Sequence, residues 1–276
     1  MSNEVFSFPR FRKYFRYDIT QLWRNNGKAV LMLGGISLIV YIIWVIFSLL
    51  ITGTWQAPTL PARIVVFFVG WIILLFYQTR TYGYLTEKRA GSSWLMVPAS
   101  TLEKFVSMLI ISIILEPLAY TASYLLVDGI IALADPTAGQ AIIASTGEVM
   151  PELREGLAKA AENGVTFRLW MLAIPFVLEM MANIMYFLLC GICFKKWKLM
   201  GAFAVLMGIS MLSVAFFSFF AWGDWVQRLE MFHDMDDPVA IVSYVNSAMS
   251  LGTLVNFVVA VLLGAGIYYR LKTIKH

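Results

Sequence analysis

Charge is what this 276-residue chain has least of: only 14% of its residues are Asp, Glu, Lys or Arg, against 60% hydrophobic and 15% aromatic. A soluble domain is not built from that balance. Histidine is scarcer still, with His233 in a loop and His276 at the end. A His, Cys and carboxylate metal cluster cannot be assembled within the apolar segments from so few ligands, so no resident cofactor is expected. The two cysteines, Cys190 and Cys193, form a C-x-x-C spacing inside an apolar run with no histidine near it. They read as small buried residues rather than a metal or redox pair. The phosphate-binding pattern G-x-x-x-x-G-K-[ST] is missing, so the chain is not expected to hydrolyse nucleotide by itself. The nucleophile turn G-x-S-x-G is missing too. Neither an internal repeat nor a low-complexity tract is present. A cleavable signal peptide is not expected, because the first apolar run begins at Val30, is too long for a signal core and has no small-residue cleavage site.

Long apolar runs fill the rest. They lie at Val30–Ile51, Ile64–Thr79, Phe105–Val127, Leu169–Phe194, Leu199–Trp222 and Leu251–Tyr269. A spanning helix needs ~20 mostly apolar residues, and inside hydrocarbon each backbone N–H and C=O must be paired within the chain. The second run is short, but Arg80 can snorkel to the interface and lengthen it. The expected fold is therefore all-α and integral to a membrane. Six spans would occupy residues 29–276, after a basic segment of about residues 1–28.

The basic residues give the orientation. Placing the N-terminus, the segments after runs two and four, and the C-terminus on one side collects 16 of the 21 Lys and Arg there, and leaves five on the other. By the positive-inside rule that side is cytoplasmic, with both termini inside, as in a bacterial plasma membrane. The formal net charge of +4 thus hides a split. It points to anionic lipid head groups and not to nucleic acid.

Before the first run, Phe8, Phe11, Phe15, Ile19 and Leu22 recur at steps of three and four, with Arg10, Arg12, Lys13, Arg16 and Arg24 mostly on other faces. This predicts a basic helix lying flat at the membrane surface, opening after Ser7 and closing at Asn25-Asn26-Gly27. In the long outer segment, Pro151 to Gly164 reads as a helix with proline in its first turn. The segment from Gly223 to Ser250 reads as a loop carrying Asp234, Asp236 and Asp237, three acids more in keeping with solvent than with a bound cation.

Two carboxylates lie deep in the spans. Glu116 leads a stripe with Tyr120 and Ser123, and Glu179 leads one with Asn183 and Tyr186. Each stripe steps by four and then three, so each keeps to one helix face. A charge at that depth costs ~2.5–3.5 kcal/mol on insertion scales unless paired, protonated or wet. The stripes would line a path if they met; otherwise they are interhelical hydrogen bonds. Pro117 is expected to kink the third span. Gly34, Gly35, Gly201, Gly264 and Gly266 would let helices approach closely.

Between the second and third spans runs Thr86-Glu-Lys-Arg-Ala-Gly-Ser-Ser-Trp-Leu-Met-Val-Pro-Ala-Ser-Thr-Leu-Glu-Lys-Phe105. Ser100 with Glu103 three residues on is a capping box opening the third span. On K-R-x-G-S-x-W-x-x-x-P-A-S-x-x-E-K-F at Lys88–Phe105, after a basic amphipathic helix and two spans, the chain resembles the membrane subunits of type-two ABC exporters. The resemblance covers about the first 130 residues. It implies that this loop docks into a partner ATPase, with Glu87, Arg89, Ser92, Trp94, Leu95, Pro98, Ser100 and Lys104 in the coupling region and Lys88 and Glu103 among its charges. It also implies an elbow-like N-terminal helix and pairing with a second permease subunit, of the same or a related chain. ATP and Mg would be bound by the partner, so this chain would be no enzyme. The long outer segment after span three and the charged loop before span six depart from the family pattern. Two readings compete: a proton-coupled carrier using Glu116 and Glu179, and a membrane scaffold without transport.

Overall fold

Apolar runs of this length form helices, and in the computed structural model, which describes residues 6–87, 91, 94–162, 169–216 and 238–274, they do. The described residues are helical with short connections and contain no strand. Helix α1 is Phe8–Leu22 and passes through a π turn, Trp23–Gly27, into α2 (Lys28–Gly34) and α3 (Ile36–Thr52). Helix α4 is Leu60–Thr81, followed by a 3-10 turn at Gly83–Thr86. Then come α5 (Thr101–Ile110), a second π turn (Ile111–Leu115), α6 (Glu116–Ala134) and α7 (Ile142–Glu162). Helices α8 (Leu169–Cys193), α9 (Lys198–Phe216) and α10 (Pro238–Thr273) complete the chain.

Five helical stretches are long and apolar enough to cross a membrane: Lys28–Thr52, Leu60–Thr86, Thr101–Ala134, Ala173–Cys193 and Met249–Thr273. In α9 the apolar stretch is the shorter Lys198–Leu212. By length and composition the chain reads as an integral membrane protein.

The structure departs from the expected local boundaries at four places. Asn25-Asn26-Gly27 does not end the first helix, because the π turn carries the backbone straight on into α2. The second span begins earlier than its apolar run, at Leu60, with Pro61 in the first turn, where its missing N–H costs nothing. The helix expected from Pro151 starts at Ile142 and keeps Pro151 inside it. The loop expected up to Ser250 is helical from Pro238. Asp234, Asp236 and Asp237 lie outside the described residues, as do His233 and His276.

The break expected at Pro117 takes the form of the π turn just before it. Proline has no N–H for residue 113 and its ring crowds that carbonyl, and a widened turn absorbs both.

Helix α8 is the hub, packing most extensively on α10 and then on α4 and α9. Helix α6 packs chiefly on α2, with α3 and α4 beside it. The largest buried cluster lies at the end of the bundle that carries α1. There Leu22, Tyr82, Leu85, Trp94, Met108 and Ile192 meet Ile267 and Leu271. A smaller cluster joins Val30, Leu74, Tyr120 and Tyr124.

Of the five glycines expected at close contacts, Gly34 lies against Ser123 of α6, and Gly264 and Gly266 face Met185 and Leu189 of α8. Gly35 and Gly201 face neighbouring turns of their own stretch of chain. One close approach of a helix to another's backbone was not anticipated: a Cβ on Gly191 would come within 2.6 Å of the Thr79 carbonyl oxygen and 2.9 Å of its Cα. Backbone cannot yield as a flexible side chain can. Gly191→Ala is therefore expected to lower stability by about 1–3 kcal/mol. Gly208→Ala, where a Cβ meets nothing within 4 Å, is expected to be neutral. Thermal unfolding of both variants in detergent checks this.

Candidate functional site

The capping box at the head of α5 is made as its spacing requires. Ser100 Oγ accepts from the Glu103 N–H at 3.2 Å, and Glu103 Oε2 accepts from the Ser100 N–H at 2.9 Å. Glu103 does more than cap. Its Oε1 accepts from the Ser7 N–H at 2.8 Å, and its carboxylate takes Arg10 Nε at 2.7 and 2.9 Å. The side chain is wholly buried. The first turn of α1 is thereby tied to the first turn of α5, and Ser7 keeps its place at the helix start without its own side chain capping it.

A second carboxylate repeats the arrangement two turns along. Asp18 is 2% exposed, and its Oδ2 accepts from Ser107 Oγ at 2.6 Å and Tyr82 Oη at 3.0 Å. Burial pushes its carboxyl up from 3.8 to about 6, against the opposing effect of the two hydroxyl donors. The face of α1 turned to the bundle is thus Tyr14, Asp18 and Leu22. The expected stripe of Phe11, Phe15 and Ile19 lies beside it, half-buried, and Phe8 is exposed. Phe11 and Phe15 stack at 5.6 Å between ring centres.

These ties brace the loop before α5. Trp94 is buried, and its Nε1 donates to Tyr14 Oη at 3.1 Å. Burial, with Asp18 nearby, pushes the Tyr14 phenol up, so it stays an acceptor that keeps its own proton. Lys104 Nζ donates to the Trp94 carbonyl at 2.8 Å and sits 4.3 Å over the indole ring. Leu95 and Met96, the next residues, are 40% and 82% exposed, and Pro98 is exposed as well. Glu87 is exposed, 4.0 Å from Lys198, whose Nζ donates to the Gly83 carbonyl at 2.6 Å. Of the expected loop residues, then, Trp94, Glu103 and Lys104 are inside, while Glu87, Leu95 and Pro98 are outside. Lys88, Arg89 and Ser92 lie outside the described residues.

The two intramembrane stripes turn to separate neighbours. Glu116 is buried and accepts from Gln78 Nε2 of α4 at 2.6 Å. Tyr120 donates to the Phe67 carbonyl at 2.7 Å and stacks with Phe67 and Trp71, and Ser123 donates to the Tyr120 carbonyl. On α8, Glu179 is exposed, Asn183 half-buried, and Tyr186 donates to the Ala202 carbonyl of α9 at 2.6 Å. The two stripes do not meet, which leaves the reading as interhelical hydrogen bonds for Glu116, Tyr120 and Tyr186. Helix α6 turns its polar face to α4, while α8 turns Tyr186 to α9.

A cluster that sequence reasoning missed closes the opposite end of the bundle. Arg63, 4% exposed, donates to Asp128 Oδ1 at 2.8 Å and to the carbonyls of Ala138 and Gln140 at 2.9 and 2.6 Å. Asp128 Oδ2 accepts from the Ile142 N–H, and Tyr124 donates to the Arg63 carbonyl. Beside them Asp135 accepts from Tyr41 Oη, Trp55 Nε1 and both the backbone and hydroxyl of Thr137. These donors, Tyr41 foremost, hold its carboxyl well below the usual range. Opposite charges at the matching ends of two consecutive spans were the available signal.

Among the described residues no group of three His, Cys, Asp or Glu is placed to hold a metal ion, and Cys190 and Cys193 are free thiols. No family model matches the chain, and neither a curated protein nor a solved structure matches it.

Two outcomes follow from this geometry. Asp18 binds a proton more tightly in the folded chain than unfolded. Its contribution to stability is therefore expected to fall as pH rises from 3.8 to about 6, and to stay level above that. Asp18→Asn removes that slope, so the difference in melting temperature between variant and parent changes across this window and nowhere above it. Arg63→Gln leaves Asp128 buried without its cation, and is expected to cost about 3–5 kcal/mol in detergent unfolding.

Proposed function

We propose that the chain is the membrane permease subunit of an ABC transporter of the exporter type, driven by a separate ATPase. On this reading it has six spans, α9 belonging to the fifth, and α1 lies at the cytoplasmic head-group layer as the elbow. Both termini face the cytoplasm across a bacterial plasma membrane, and two such subunits, identical or related, form the pathway. The docking element is the loop before α5.

One observation carries the proposal. The loop holds an apolar tip, Leu95 and Met96, out into solvent while its flanks are locked inside the protein. An exposed pair of large apolar residues on a braced loop suits a partner's groove. The brace also supports coupling. Force on the tip reaches α1 through Trp94 and Tyr14, and reaches α5 through Lys104 and Glu103. A partner whose two nucleotide states bias the loop would therefore move the elbow and the third span together. The carrier reading needs Glu116 and Glu179 on a shared path, whereas Glu116 is buried against Gln78 of α4 and Glu179 is exposed on α8.

The expected contacts with the partner are Leu95, Met96 and Pro98, with Glu87 beside them. Trp94, Glu103 and Lys104 position them from beneath. Leu95→Glu and Met96→Glu are expected to abolish co-purification of an ATPase from native membranes while leaving the permease folded, whereas Glu179→Gln leaves the complex intact. Complexes isolated in mild detergent that never contain an ATPase, with turnover proceeding regardless, would overturn the proposal.

A further inference from the structure

The two π turns line one cavity. Trp23 and Gly27 come from the first, Ile111 and Leu115 from the second, and the space between them measures about 370 Å³. That is within the range of small-molecule pockets, which are mostly apolar with a few placed polar groups. Departures from α-helical winding concentrate at functional sites, and here two separate ones face the same space. Glu116, which directly follows the second π turn, is the only ionisable residue among the described residues of the lining.

The polar groups behind that wall are incompletely paired. Gln78 gives its Nε2 hydrogen to Glu116, while its Oε1 is buried without a hydrogen-bond partner. Ser112 Oγ, about one turn before Glu116, is in the same condition. Both side chains are fully buried. Orphaned buried polar atoms are uncommon and call for an explanation. An ionised Glu116 offers the cavity acceptors only, so a group that pairs with it there is a donor. A carboxylate with no Lys or Arg among the cavity's lining residues favours a donor that carries positive charge.

We propose that this cavity binds an organic ammonium with an apolar body. The ammonium sits on Glu116, which Gln78 holds from behind through its Nε2. The apolar part lies against Leu22, Trp23, Val30 and Leu115. The site belongs to the single chain, so its test stands apart from the ATPase reading.

The chain in phosphatidylcholine nanodiscs is irradiated with a diazirine-bearing decylammonium, and in parallel with decanol and decanoate carrying the same photoreactive group. The cationic probe is expected to label peptides containing Trp23 and residues 111–116 about tenfold or more above the neutral and anionic probes, in competition with unlabelled decylamine. Glu116→Gln reduces the cationic probe to the level of decanol. Ala119→Phe, which fills the cavity and keeps the carboxylate, reduces labelling by the cation as well. Both variants are first checked for monodispersity and helix content. If Glu116→Gln fails that check, the three-probe comparison and Ala119→Phe decide the matter. Equal labelling by all three probes would mean a groove for acyl chains of any head group and would overturn the proposal. So would labelling indifferent to the variants, or none at these peptides.

Discussion

Glu103 holds the N-terminal helix and the start of α5 in one frame. Its buried carboxylate receives the Ser7 N–H, the Arg10 guanidinium and the Ser100 N–H. A carboxylate out of water is tolerable only when its acceptor positions are taken up by donors, preferably charged ones. Here the donors come from two helices far apart in sequence, so satisfying the charge and joining the helices are one event. Asp18 does the same from the other side, reaching out from α1 to Ser107 on α5 and Tyr82 beyond α4. Two carboxylates, one on each partner helix, make α1 part of the bundle rather than a tail resting on it.

The apolar middle of the molecule and its polar ends use different chemistry. Along the helices, contact is set by shape: Gly191 against the Thr79 backbone, Gly34 against Ser123, rings of Phe67, Trp71 and Tyr120 in a stack. In hydrocarbon there is little hydrophobic drive between helices, and close packing takes over. At the ends, hydrogen bonds and ion pairs decide position. Glu116 departs from this division, a carboxylate placed between the Gln78 amide, the Thr81 hydroxyl and an apolar cavity.

Long apolar runs made the helices legible, and Ser100 with Glu103 three residues later made the start of α5 legible. What periodicity does not encode is the partner of a face. Asp18 lay within a stretch of basic residues and gave no sign of turning inward, because its donors are 64 and 89 positions away. The same holds for Glu103 and Arg10, 93 positions apart. The π turn at Trp23–Gly27 was read as a helix end because Asn and Gly favour ends. They also tolerate a wide turn, and only the packed chain distinguishes the two. Glu116 and Glu179 stood at similar depth in their helices, but depth along an axis says nothing of rotation about it.

The Arg63–Asp128 pair bears on how the protein is made. Its two charges sit at the same end of the bundle, Arg63 at the start of the second span and Asp128 near the end of the third. Alone, either would be buried without a counter-charge; together, with the Ala138 and Gln140 carbonyls, they make a nearly neutral unit. Neither helix reaches its final surroundings without the other, so the two are expected to assemble as one unit.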